Sequence, residues 1–179
     1  RLPISLSRDR LTRSQDTVEV PISSQISLHR GVPRLDFRTK IENLAHDHRL
    51  RVHFPTPINT NYSEAESTFD VVRRPLGIAQ NTADWVEQPV PTHPQQTFVD
   101  VSDGQIGLML INRGLPEYEV LQEDKETATI ALTLLRCVGW LSRDDYPCRR
   151  GHAGPALETP EAQCIGSHVF EYALVPHAG

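Results

Sequence analysis

The sequence predicts an all-β fold: a large antiparallel β-sandwich of about nine strands in two packed sheets, joined by long proline-rich loops. Three observations carry that prediction. Apolar and polar residues alternate with a period of two over most of the chain. The 14 prolines fall mostly between the alternating runs. No segment joins a helical apolar period to recognisable caps, so no amphipathic helix is expected.

The first run is residues 18–28. Val18, Val20, Ile22, Ser24, Ile26 and Leu28 face one way, and Glu19, Pro21, Ser23, Gln25 and Ser27 face the other. Pro21 cannot donate to a ladder, which places this stretch at an edge or a bulge. After a turn at "GVP", Leu35, Phe37, Thr39 and Ile41 share a side, with Arg34, Asp36, Arg38 and Lys40 opposite. "ENLAHDH" turns the chain again, and Leu50, Val52 and Phe54 continue the alternation, so the three runs read as a meander. Residues 55–96 carry "PTPIN", "RRPLG" and "PVPTHPQQ", the punctuation of long ordered loops, with one short strand at 67–73.

From residue 97 the strand signal returns. "TFVDV" is a strand and "SDG" a tight turn. "QIGLMLIN" is apolar on both sides and therefore central. "RGLP" turns, "EYEVLQ" is a strand, "EDKE" turns, and "TATIALTLLRCV" is a long buried strand. A loop at 142–166 precedes the last strand, "SHVFEYALV". No internal repeat is apparent.

With 179 residues, 38% hydrophobic and 23% charged, the chain can bury one core without staples. Residues 1–179 read as a single domain. A net charge of −5 argues against a nucleic-acid surface, which needs a basic stripe. Arg34, Arg38 and Lys40 are interrupted by acids and read as a solvated strand face. No apolar run approaches 18 residues, so no helical membrane span is expected, and no signal peptide is visible. Three cysteines suit a reducing compartment better than a disulfide framework. Arg1 and the residues after it lack the character of a domain start, which points to a piece of a longer chain.

"CRRGHAGPALETPEAQCIGSH" contains two Cys-x-x-x-His pairs, Cys148 with His152 and Cys164 with His168. Zinc would need these ligands to converge. Pro147, Gly151, Gly154 and Pro155 argue against a helix through the first pair. In one strand, Cys164 and His168 would lie about 13 Å apart, too far for one metal unless Gly166 turns the chain. His168 shares strand parity with Phe170, Tyr172 and Leu174 and reads as a hydrogen-bonded histidine at a buried edge. No metal site is therefore expected here. Asp144–Asp145 reads as a polar turn, since sequence neighbours seldom face one another as glycosidase carboxylates must. Cys137 reads as core packing, and no nucleophile elbow is present. Arg149, Arg150 and His152 stand in a glycine-rich loop, where planar guanidinium groups suit carboxylates or paired hydroxyls.

The stretch "TFVDVSDGQIGLMLINRGLPEYEVLQEDKETATIALTLLRCVGWLSRDD", followed by "RRGHAGPALETPEAQCIGSHVFEYALVPH", resembles the C-terminal β domain of bacterial α-mannosidases of glycoside hydrolase family 38. "RLDFRTKIENLAHDHRLRVHFPTP" resembles an earlier part of the same domain, and the likeness covers roughly residues 17–177. It implies a non-catalytic domain of a larger enzyme that also holds an α/β barrel and a helix bundle. Such enzymes are retaining exo-mannosidases with an Asp nucleophile, an Asp acid/base and a zinc ion that grips sugar hydroxyls. Those motifs lie outside this chain, so no catalytic residue and no cofactor is expected within it, and zinc is expected in the parent's catalytic domain.

The resemblance also implies that an Arg-Gly on a loop of the β domain reaches the active-site mouth. It maps to Arg150–Gly151. Arg149 stays a candidate because the alignment can slip by one, and His152 is a further one. The implied partners are the upstream catalytic and helical domains, an α-mannoside and, in the assembled enzyme, further copies of it. The implied location is a bacterial cytoplasm. The alternative reading is an independent carbohydrate-binding sandwich, for which Trp85 and Trp140 are the available stacking aromatics. A sandwich that packs on other domains should expose an apolar patch, expected near residues 17–29 and the loop at 142–166.

Overall fold

The computed structural model describes residues 1–179 except Arg8, residues 123–126, Pro147 and Arg150. The turn expected at "EDKE" lies outside the described residues. Among those described there are 13 strands: β1 (Leu2–Pro3), β2 (Thr17–Val18), β3 (Ile22–Leu28), β4 (Leu35–Asn43), β5 (Arg49–Pro55), β6 (Tyr62–Ser67), β7 (Asp70–Pro75), β8 (Thr92–Pro94), β9 (Phe98–Ser102), β10 (Ile106–Asn112), β11 (Glu117–Leu121), β12 (Thr129–Arg136) and β13 (Gly166–Ala178). One short 3-10 helix, Pro160–Gln163, precedes β13.

The strands form two main antiparallel sheets, as the alternation predicts. One has seven strands in the order β3-β4-β13-β10-β9-β6-β7, and the other has four in the order β5-β12-β11-β8. β1 and β2 make a separate two-stranded ribbon. The strand count exceeds the expected nine because of short pieces such as β1 and β8, whose two or three residues are too few to show a period. β3 is an edge strand and β10 sits mid-sheet, both as expected. Pro21 ends the first pairing, so residues 18–28 do not form one continuous strand. Its carbonyl instead accepts the Glu42 N–H at 3.0 Å.

The meander is corrected in one respect. β3 and β4 pair, but β5 leaves their sheet and pairs with β12. Its alternation is the same in either sheet, because both bury one face against the same core. The short strand expected at 67–73 is instead a hairpin, β6–β7, with the turn at Thr68–Phe69. Phe69 adopts φ 71°, a left-handed conformation that nothing in its residue type announces.

The core lies between the sheets. Ile41, Val99, Val101 and Leu110 from the wide sheet meet Tyr118, Ile130 and Leu132 from the narrow one, all essentially inaccessible. Phe54 of β5 packs edge-on to Phe37 and Tyr172, with centroids 5.6 and 5.9 Å away. Both buried tyrosines keep their hydroxyls bonded: Tyr172 to Thr39 at 2.7 Å, and Tyr118 across the sheets to Ser63 at 3.0 Å. Cys137 is buried, as expected, and burial pushes its thiol pKa up to about 11. On the solvent side of β4, Arg34 pairs with Asp36 and Lys40 with Glu42, each at 2.8 Å. Exposed apolar residues do collect where expected: Ile22, Ile26 and Leu28 on β3, and Leu141, Tyr146 and Leu157 in or beside the long loop.

Candidate functional site

The long loop between β12 and β13 is a folded-back structure. Its base is closed by a bridge between Trp140 and Glu158, by Leu141 N–H to Leu157 O at 2.9 Å, and by Thr159 N–H to Gly139 O at 2.9 Å. Asn43, fully buried at the end of β4, donates to the carbonyls of Gln163 and Cys164 at 3.1 and 2.9 Å. Gln163 then accepts the Asp47 N–H at 2.8 Å and donates to Asp47 Oδ1 at 2.7 Å. These bonds hold the C-terminal limb of the loop onto the β4–β5 connection.

Ser142 organises the upper part. Its buried hydroxyl accepts the N–H groups of Ala153 and Gly154 at 3.0 and 3.1 Å, folding the chain back. His152 Nδ1 lies 3.4 Å from the same oxygen, and its Nε2 lies 3.6 Å from Asp144. Asp145 is held by Arg143 through two contacts of 2.7 and 2.5 Å. That guanidinium keeps the Asp145 carboxyl below the usual range. The Asp pair is thus the polar turn its sequence suggests, with the two carboxylates committed to different partners.

The tip of the loop is clasped by a second loop at residues 82–90. Glu87 and Arg149 form a β-bridge, and Gln88 N–H donates to Cys148 O at 2.6 Å. Arg149 Nη1 meets Glu87 Oε2 at 2.5 Å, while its Nε–H is buried without a partner among the described residues. Beside them opens a cavity of about 590 Å³ lined by Trp85, Val86, Gln88, Cys148 and Arg149 among others. Gly151 adopts φ 76°, which favours glycine, and is exposed. Arg150 lies outside the described residues.

Of the sequence candidates, the structure therefore places Arg149 in a pocket, His152 against Ser142 and Asp144, and Gly151 at an exposed turn. Trp85 lines the pocket and Glu87 pairs with Arg149, both from a loop some 60 residues earlier, and nothing in the local pattern of either loop announces that meeting. Trp85 is exposed, as a stacking platform requires, whereas Trp140 is half-buried with the Arg10 guanidinium 4.6 Å from its ring centre.

The structure does not gather the two Cys/His pairs into one group of ligands. Cys164 at φ 51° and Gly166 at φ 116° both depart from extended backbone, and His168 comes back to Cys164. The imidazole Nε2, however, bonds the Cys164 carbonyl oxygen at 2.7 Å, and the ring stacks on Phe170. His168 is thus the hydrogen-bonded histidine its parity suggests, but β13 is internal, so it does not sit at a sheet edge. Cys148 belongs to the clasp with the 82–90 loop. Among the described residues no group of three or more His, Cys, Asp or Glu is arranged to hold an ion.

Residues 7–147 match the family model described as the glycosyl hydrolases family 38 C-terminal domain. The chain belongs to this family. A family 38 protein from Enterococcus faecalis superposes on this domain with a TM-score of 0.79 at 34% identity, over 99% of this chain and 20% of its own. An α-mannosidase from Enterococcus faecalis V583 gives 0.78 at 40% identity, over 96% of this chain and 17% of its own. A Halalkalibacterium halodurans protein, whose name gives mannosylglycerate hydrolase as its presumed activity, is 34% identical over 93% of this chain and 16% of its own length. Mouse α-mannosidase 2C1 is 28% identical over 88% of this chain and 13% of its own. The family 38 domain thus spans about a sixth of these relatives, and Arg149, Arg150, Gly151 and His152 stand just beyond the stretch the family model matches.

Proposed function

We propose that this family 38 domain is the non-catalytic C-terminal sandwich of a larger retaining enzyme that hydrolyses terminal α-mannosides. The family match over residues 7–147, in relatives several times longer, carries this reading. The names of the mouse and Enterococcus relatives support an α-mannoside substrate, and that class includes the mannosylglycerate of the Halalkalibacterium name. In this reading the nucleophilic and acid/base carboxylates, and zinc, belong to the rest of the parent polypeptide. The three free cysteines support a reducing bacterial cytoplasm as its location.

The domain's own contribution is to pack on the catalytic part and to present the clasped loop to the sugar. Arg149 is prepared for that task. Glu87 fixes its guanidinium, and an Nε–H without a partner among the described residues, next to the cavity, marks a place short of an acceptor. Gly151 stands at an exposed turn of the same loop. A guanidinium donating to adjacent sugar hydroxyls orients the substrate without entering the bond chemistry.

Kinetics of the intact enzyme on an aryl α-mannoside test this. Arg149→Ala and Arg150→Ala should each lower kcat/KM by about 10- to 100-fold, the cost of one or two charged hydrogen bonds to substrate, with unchanged melting. Unaltered kinetics in both would remove the arginine contribution, and an intact enzyme inert toward α-mannosides would remove the whole reading. The exposed Trp85 face favours a second reading, a self-sufficient sugar-binding module. Absence of binding heat with millimolar mannose would dismiss it.

A further inference from the structure

The two sheets differ in width. At about 4.8 Å between strands, the seven-stranded sheet reaches about 29 Å across and the four-stranded sheet about 14 Å. Part of the wide sheet therefore extends beyond the narrow one. Phe54 of β5, the edge of the narrow sheet, packs against Phe37 of β4 and Tyr172 of β13. The narrow sheet thus ends under β4, and β3 overhangs it.

That overhang is apolar. Ile22, Ile26 and Leu28 stand opposite Ile41, Phe37 and Leu35 in the ladder and so share the core-facing side. Ile41 is fully buried, whereas Ile22, Ile26 and Leu28 are 54%, 58% and 73% exposed. The edge itself is also undefended. Exposed edges are normally blunted by charge, proline or a bulge. β3 reads ISSQISL, without a charge, and pairs with β4 without a register shift. The opposite edge, β7, reads DVVRRP and carries those defences. The same sheet therefore protects one edge from pairing and leaves the other ready for it.

We propose that β3 is a docking strand for another part of the same polypeptide, an apolar segment that lies under Ile22, Ile26 and Leu28 beside the edge of β5. This rests on the reading of the chain as one domain of a longer enzyme. Relatives devote 80% or more of their length to other segments, since this chain spans 20% of one solved relative and 13% of the mouse protein. A tethered segment reaches the strand at an effective concentration in the millimolar range, well above that of a second copy in dilute solution. Filling the overhang also completes the core with the surface type it lacks, aliphatic side chains against aliphatic side chains.

The test uses the intact enzyme with a photo-cross-linking residue, Ile26→p-benzoylphenylalanine, and a mixture of isotopically light and heavy protein. The expected product is a light–light or heavy–heavy link from position 26 to a residue outside this domain. The same probe at Gln25, on the opposite side of the strand, should lose that product. Links only within the domain, light–heavy links to a second copy, or no link at all would each overturn the proposal. Hydrogen exchange of the unsubstituted enzyme is the second readout, with β3 amides expected to exchange about tenfold or more slowly than those of the open β7 edge. Equal rates at the two edges would also overturn it. Turnover of the aryl α-mannoside by the same preparation is scored separately, so failure of the hydrolase reading and failure of the docking strand give different results.

Discussion

His177 lays its imidazole where a side chain on Gly107 would stand. A Cβ there would come within 2.1 Å of the ring, so glycine at 107 is a requirement of close approach and not of backbone angle. The ring then reaches Asp100 on β9, with Nε2 2.9 Å from the carboxylate. That bond raises the His177 pKa above its ordinary value. The sign follows from linkage. A raised folded-state pKa adds stability that is complete below about pH 6.5 and is lost as pH climbs through the higher folded value. Asp100→Asn should therefore cost more at about pH 5.5 than at about pH 8.5, by up to about 1 kcal/mol for a partly buried pair. Urea unfolding at the two pH values measures this, and an equal cost at both would refute the coupling. The alternation of β10 and β13 was legible in the sequence. The partner of His177 was not, because Asp100 lies 77 residues away on a strand whose neighbours only the sheet order defines.

At the scale of elements, loops divide from strands in how they are held. Strands follow from alternation, and β4, β9, β10, β11 and β12 form close to where the pattern places them. The 137–165 loop follows from single polar side chains. Asn43 is the main one, because its amide satisfies two carbonyls at the end of that loop and its oxygen accepts the Ala45 N–H at 3.2 Å. Asn43→Ala should leave those buried groups unpaired and cost about 2–3 kcal/mol, read as a lowered denaturation midpoint at unchanged m-value. A cost below that of a surface substitution would show that the loop is held elsewhere. The candidate site depends on this scaffold. Its arginines and glycine were visible as residue types in a loop, but Ser142, which folds that loop back, Glu87, which pairs with Arg149, and Trp85, which lines the pocket beside it, carry no local signal. The β6–β7 hairpin was missed for a related reason: a turn centred on Thr68–Phe69 lacks the glycine or asparagine that marks most tight hairpins.

Across the whole molecule, stability rests on the contact between two unequal sheets. Leu132, fully buried on the narrow sheet, faces the wide one, whereas Phe69 stands wholly in solvent. Leu132→Ala should cost about 2–5 kcal/mol and Phe69→Ala less than about 0.5 kcal/mol, despite the larger side chain lost in the second. Thermal melting of the two variants compares them directly, and similar losses would mean that the core is not where burial places it. The all-β class, the strand faces, the edge position of β3 and the central position of β10 were determined by the sequence itself. Period-two alternation records burial of one face, and that record is local. Which sheet β5 joins, that the sheets are seven and four strands wide, and that residues 82–90 close on Arg149 were decided only by the tertiary structure. Alternation is identical whichever neighbour a strand chooses, so pairing and sheet width are settled by the packing of the whole chain.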